Sequence, residues 1–232
     1  MKIIFIHCPK TGGCSISKMI GGSHSKIKNQ NVIDGHRTIL HYKQNYKLRD
    51  YFIFTITRNP WDRMVSCYHY VQNRIERKKI NTSEIRGAFW LKTKHKTFED
   101  FIINLYEIYL NSGLANILPS LKNKGPDPGL KNIVDCISID DKISVDFIIN
   151  LHTLQEDWKI LSKFIKIKSE VIHINASIHE DYRKYYNTKL IEMVEKIYKS
   201  DIDYFNFIFE DKFYSNFNRD INKSLFLSKK YE

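Results

Sequence analysis

Two constellations of residues in this sequence are suited to holding anions. The first is Lys10-Thr11-Gly12-Gly13-Cys14-Ser15, which follows the apolar run Ile3 to Ile6 and Pro9 and precedes a helix beginning near Ser15. A continuous β-branched and aromatic run of that length reads as a strand buried on both faces of a parallel sheet. Gly12 and Gly13 open backbone conformations closed to residues with a Cβ and allow close approach to a ligand. Backbone N–H groups at the start of the helix favour an anion, Lys10 adds a full charge, and Thr11 and Ser15 add hydroxyl donors. Together these residues read as a phosphate cradle. The order is not that of a Walker A loop, which places its lysine and a Ser/Thr after the last glycine. Taken alone, the segment is equally well an ordinary strand-to-helix turn that needs glycine.

The second constellation is Arg58 with Ser66. Tyr51 to Thr57 is the strongest strand in the sequence and runs into Arg58-Asn59-Pro60-Trp61-Asp62-Arg63. Asn59 suits a helix N-cap, Pro60 the first helical position and Asp62 the positive helix end. Trp61, Met64, Val65, Tyr68 and Val71 then form one apolar face. Arg58 at the strand end and Ser66 two turns into the helix make a second anion site. Two such sites at the ends of strands in one sheet fit a ligand with an anionic group at each end.

A candidate proton acceptor lies at the end of a further short strand, Val32-Ile33, which delivers Asp34-Gly35-His36-Arg37. Ligands of open α/β sheets bind outside the carboxyl ends of strands, so His36 has a place in the crevice. The residues alone favour the other reading, a surface histidine ahead of a helix beginning near Thr38. His7, Asp34, His41 and His69 are rival bases.

The elements that must position these groups alternate between strand and helix, giving an α/β chain with a central, mostly parallel sheet flanked by helices, a P-loop-like nucleotide-binding fold. Thr97 to Asp100 starts a helix with Phe98, Phe101, Ile102, Leu105 and Ile108 on one face. Thr153 and Glu156 form a capping box for a helix whose Leu154, Trp158, Leu161 and Ile165 face the sheet. Leu190, Ile191, Val194, Ile197 and Tyr198 do the same after Asn187. Residues 111–131 read as a long loop and 210–232 as a terminal helix or tail. Over 232 residues no linker or repeat divides the chain, so one domain is expected.

Lys and Arg exceed Asp and Glu by a formal charge of +11, which favours anionic partners without choosing among them. Residues 73–96 carry eight Lys or Arg against two Glu, either a lid for an anionic acceptor or a solvated face. Cys8, Cys14, Cys67 and Cys136 have no zinc-type spacing and read as reduced thiols. No signal peptide and no spanning segment are evident, and a soluble cytoplasmic chain is expected.

With both constellations in order, the chain resembles the sulfotransferases. IFIHCPKTGGCSI is similar to their 5′-phosphosulfate loop and TRNPWDRMVSCYHY to their 3′-phosphate motif, and in particular the chain resembles the carbohydrate sulfotransferases of the bacterial and Golgi type. Val145 to Trp158 resembles the family's next strand-to-helix segment, with His152 where a glutamate is usual. Residues 171–177 resemble its cofactor-covering loop. The likeness covers most of residues 2–209 and is weak over 73–140.

This resemblance implies a sulfuryl donor, 3′-phosphoadenosine 5′-phosphosulfate (PAPS), with adenosine 3′,5′-bisphosphate as product and no metal. It makes His36 the base and Lys10 the cation at the leaving oxygen. Thr11, Gly12, Gly13, Cys14 and Ser15 would hold the 5′ end, Arg58 and Ser66 the 3′-phosphate, and Asn175 and Ser177 the covering loop. The acceptor is expected to be a hydroxyl of a glycan or glycolipid, with no nucleic acid as partner. A P-loop-like kinase or NTPase would need the missing lysine-serine ending. A basic module for anionic polymers would leave the paired motifs unexplained.

Overall fold

The computed structural model describes residues 1–26, 28–78, 96–116, 130–167 and 179–210. Its centre is a four-stranded parallel sheet in the order β2-β1-β3-β6, where β1 is Lys2–Ile6, β2 is Val32–Gly35, β3 is Tyr51–Thr57 and β6 is Phe147–Asn150. Two further strands, β4 (Ser138–Ile139) and β5 (Lys142–Ile143), pair antiparallel in a small separate hairpin that the residue pattern did not announce.

Alternation along the strands separates two cores. Ile3 and Phe5, Phe52, Phe54 and Ile56, and Phe147 and Ile149 face one side. There they meet α1 (Gly13–Met19) through Ile16 and Met19, and α6 (Leu154–Phe164) through Leu154, Trp158 and Leu161. Ile4, Ile6, Ile53 and Ile148 face the other side. That core takes in α2 (Ile39–Asn45), α3 (Pro60–Lys78), α4 (Phe98–Asn116), α5 (Ile133–Ile137), α7 (Thr188–Ile197) and α8 (Lys199–Phe205). Continuous apolar strands are what a sheet covered on both faces requires.

Several boundaries differ from the sequence reading. The first helix starts at Gly13, with Gly12 as its N-cap, and β2 extends through Gly35. Helix α4 runs to Asn116, so residues 111–116 are helical where a loop was expected, and residues 117–129 lie outside the described residues. Its start is capped as expected: Thr97 Oγ1 accepts from Asp100 N–H at 3.1 Å and Asp100 accepts from Thr97 N–H at 3.2 Å. The Thr153–Glu156 box does not form. Asp157 accepts from Thr153 Oγ1 and from Asn150 N–H, both at 2.9 Å, tying the helix to the end of β6 instead. Asn187 caps α7 by accepting from Leu190 N–H at 3.0 Å, but α7 packs on α3 and α4 and not on the sheet. The basic residues 79–95 and the tail 211–232 lie outside the described residues. No described helix is long and apolar enough to cross a membrane.

Candidate active site

Strand order dictates where a ligand site forms. The chain leaves β1 for β2 on one side and returns to β3 on the other, so the connections after β1 and β3 diverge to opposite faces and open a crevice at their carboxyl ends. The Lys10–Ser15 loop follows β1, and Arg58 follows β3.

The loop is shaped by specific contacts. Gly12 has φ +82°, a conformation that calls for glycine, and a Cβ there would lie 2.6 Å from the end of the Leu151 side chain. At Gly13 a Cβ would fall 2.2 Å from the His7 ring, which packs directly beneath it. Thr11 Oγ1 is fully buried and donates to Cys8 C=O at 2.8 Å, so its hydroxyl proton braces the loop. Cys14 Sγ turns to His24 Nε2 at 3.6 Å. Lys10 itself has φ +66°, and its Nζ lies 4.2 Å from the centroid of the Tyr70 ring. Burial, followed by the charge of Arg58, lowers the Lys10 pKa, partly offset by the thiols of Cys67 and Cys14.

Arg58 joins the two halves. Its Nη1 donates to Lys10 C=O at 2.9 Å, while Nε and Nη2 grip Asp62 Oδ2 and Oδ1 at 2.8 and 3.0 Å. The pair is buried, with side chains 11% and 10% exposed. Burial alone would raise the Asp62 pKa, yet the charge and hydrogen bonds of Arg58, with smaller help from His152 and His179, hold the carboxyl below its ordinary value. His152 Nε2 lies 3.7 Å from the same Oδ2, so the histidine that stands in the family's glutamate position approaches the Arg58–Asp62 pair. Ser66 is buried on α3, the helix that Asn59 caps by accepting from Trp61 and Asp62 N–H at 3.0 and 3.4 Å.

His36 lies at the end of β2, and its ring meets that of His7 at 4.2 Å between centroids. His36 Nδ1 is 2.8 Å from His7 C=O. A carbonyl only accepts, so Nδ1 carries the hydrogen and the neutral ring has its lone pair on Nε2. His7, 2% exposed, has its pKa pushed well down by burial, then by His36 and His24. His41 lies on α2 and His69 on α3, where His69 Nε2 meets Tyr185 Oη at 2.9 Å. Asn175 and Ser177 lie outside the described residues.

Sequence reasoning passed over Arg63. It is wholly buried on α3, donating from Nε to Pro9 C=O at 3.1 Å and from Nη1 to Lys131 C=O at 2.9 Å, so it holds the entry to the loop after β1. Spacing gave no signal for it: Arg63 lies off the Trp61, Met64, Val65, Tyr68 stripe, on a stretch of α3 that is buried on every side.

The model of the sulfotransferase family matches residues 1–208. The chain therefore belongs to the sulfotransferase family, whose chemistry is sulfuryl transfer. Among solved structures it is similar to mouse sulfotransferase SULT7A1 complexed with PAP, with a TM-score of 0.51 and 13% identity over 100% of this chain and 89% of that one. At that identity the likeness speaks for the fold. No curated protein matches the sequence.

Proposed function

We propose that the chain transfers the sulfuryl group of PAPS to a hydroxyl acceptor, with a carbohydrate as the acceptor class and one domain carrying the whole reaction. The observation that carries this reading is the Arg58 bridge, a single guanidinium touching both the loop after β1 and the helix after β3, at the crevice between them. PAPS has an anionic group for each side, and the PAP bound by the mouse enzyme is the corresponding product. In this reading Thr11 to Ser15 hold the 5′-phosphosulfate mainly through backbone N–H groups, since the Thr11 hydroxyl proton is engaged. Arg58 and Ser66 take the 3′-phosphate, with Asn175 and Ser177 proposed for the covering loop.

The chemistry follows from the tautomer of His36. Its Nε2 takes the proton of the acceptor hydroxyl as that oxygen attacks sulfur. The bond from sulfur to the 5′-phosphate oxygen breaks, and Lys10 stabilises the charge left there. Calorimetry with adenosine 3′,5′-bisphosphate, ATP and a single-stranded oligonucleotide tests the donor, and mass-spectrometric detection of sulfated product from PAPS and a glycan panel tests the transfer. Preference for the bisphosphate with a sulfated glycan is the expected result. Tighter binding of ATP or the oligonucleotide would overturn the donor assignment, and sulfation only of non-carbohydrate hydroxyls would overturn the acceptor class.

A further inference from the structure

On the α1 side of the sheet, beneath the phosphate loop, His7, His24 and Asp34 converge. Each brings one nitrogen or oxygen to within 4.8 Å of the others. The convergence is a product of the fold: Asp34 is in register with Phe5 across β1 and β2, His7 stands two residues beyond Phe5 on the same face, and the turn after α1 returns His24 to them. Among the polar atoms of these residues, His7 Nδ1 and Asp34 Oδ2 are buried without a hydrogen-bond partner, and His7 is 2% exposed. A buried nitrogen and a buried carboxylate oxygen left unsatisfied are costly, and a cation between them would satisfy both.

We propose that His7, His24 and Asp34 form a binding site for a first-row divalent metal ion of the zinc and cobalt type. Two imidazoles and one carboxylate suit such an ion, whereas Mg²⁺ and Ca²⁺ take sites built from oxygen. The surroundings already hold the ligands in place. Whichever nitrogen of His24 binds, the other keeps a partner: Nδ1 lies 3.2 and 3.1 Å from the Ser17 and Ser23 hydroxyls, and Nε2 lies 3.6 Å from Cys14 Sγ. Asp34 Oδ1 accepts from Ser23 N–H at 3.0 Å, leaving Oδ2 for the metal. Outer hydrogen bonds of this kind fix ring orientation and raise ligand basicity. The ion would clip the turn after α1 to the ends of β1 and β2. Because the His7 ring packs under Gly13, it would stiffen the floor of the phosphate loop. This role is structural and separate from sulfuryl transfer.

The test is titration of the metal-stripped full chain with Co²⁺ and Zn²⁺, followed by visible absorption, metal analysis after dialysis, and thermal unfolding. One equivalent of Co²⁺ with ligand-field bands, displaced by Zn²⁺ and not by excess Mg²⁺, is expected, together with a raised midpoint of unfolding. His24→Ala changes an exposed turn residue and Asp34→Asn keeps the shape of its side chain. Each should weaken binding by more than the roughly 10- to 100-fold that loss of an outer partner costs, while His41→Ala leaves it unchanged. Absence of stoichiometric binding by the wild-type chain would overturn the proposal. So would undiminished binding in a folded His24→Ala chain or in Asp34→Asn.

Discussion

At the scale of single residues, the site rests on groups whose partners fix their chemical state. The hydrogen bond from His36 Nδ1 to the His7 carbonyl sets the tautomer before any substrate arrives. His36→Ala should therefore lower turnover by at least about a hundredfold while leaving the affinity for adenosine 3′,5′-bisphosphate within experimental error. Parallel kinetics and calorimetry check this, and near-normal turnover would move the base to another residue. Arg58 raises a separate matter, because it is both the proposed phosphate ligand and half of a buried ion pair. Arg58→Ala should cost about 3 to 5 kcal/mol of stability by leaving Asp62 buried without its cation. Binding is then compared at a temperature where the variant is folded. The Asp62 pKa is depressed in the fold below its ordinary 3.8, so the stability it contributes is present above that value and lost as pH falls through the lower folded one. Denaturant unfolding below pH 4 should show the wild type losing stability with acid more steeply than Asp62→Asn.

Among the elements, α3 lies nearest the most residues of the proposed site, since Arg58 precedes its first turn and Asp62, Arg63 and Ser66 lie within it. Its start depends on Asn59, which accepts from Trp61 and Asp62 N–H and donates from Nδ2 to Ile208 C=O at 3.1 Å. Asn59→Ala removes the cap and the tie to the segment after α8. A loss of about 1 to 2 kcal/mol is expected by denaturant titration. Affinity for the bisphosphate should fall with it, because a frayed first turn releases the Asp62 grip on Arg58. Asn187→Ala in α7 should cost a similar cap energy and leave that affinity unchanged, since α7 packs on α3 and α4 away from the loop.

Across the whole molecule, one buried cation connects the site to the helical layer. Arg63 bonds the carbonyls of Pro9 and Lys131 and lies over the Tyr198 ring at 5.8 Å. Nearby, Asp201 accepts from Ile133 and Val134 N–H at 2.9 Å each and so fixes α5 to α8. Burial pushes the Asp201 pKa up to about 6, against the pull of Arg63 and of those two N–H groups. Arg63→Met should destabilise the protein by about 1 to 3 kcal/mol for each of the Pro9 and Lys131 carbonyls it leaves without a donor. A carboxyl whose folded pKa is raised contributes stability below 3.8 that is lost as pH rises through the folded value. Without Arg63 that folded value rises further, so the deficit of the variant should widen between pH 4 and 7. Unfolding curves across that interval measure it.

What the sequence determined by itself was local or periodic. Ile3 to Ile6 and Tyr51 to Thr57 are strands because β-branched and aromatic residues suit a pleated surface covered on both sides, and Asn59-Pro60 starts a helix because its side chain and fixed φ fit the first turn. The order of the two anion motifs was enough to raise the family. Tertiary structure decided how those pieces are held. Nothing in the spacing of Gly13 and His7 shows that the glycine exists to admit an imidazole, and nothing in Arg58 and Asp62 distinguishes an ordinary helix-end carboxylate from the bidentate partner of a buried guanidinium. Thr153 illustrates the same limit: two acids, Glu156 and Asp157, were within reach of the helix start, and the end of β6 selected Asp157 by offering it the Asn150 N–H. Such choices depend on atoms from strands and turns distant in the chain, and the free energy of burial that settles them exists only once those segments have packed.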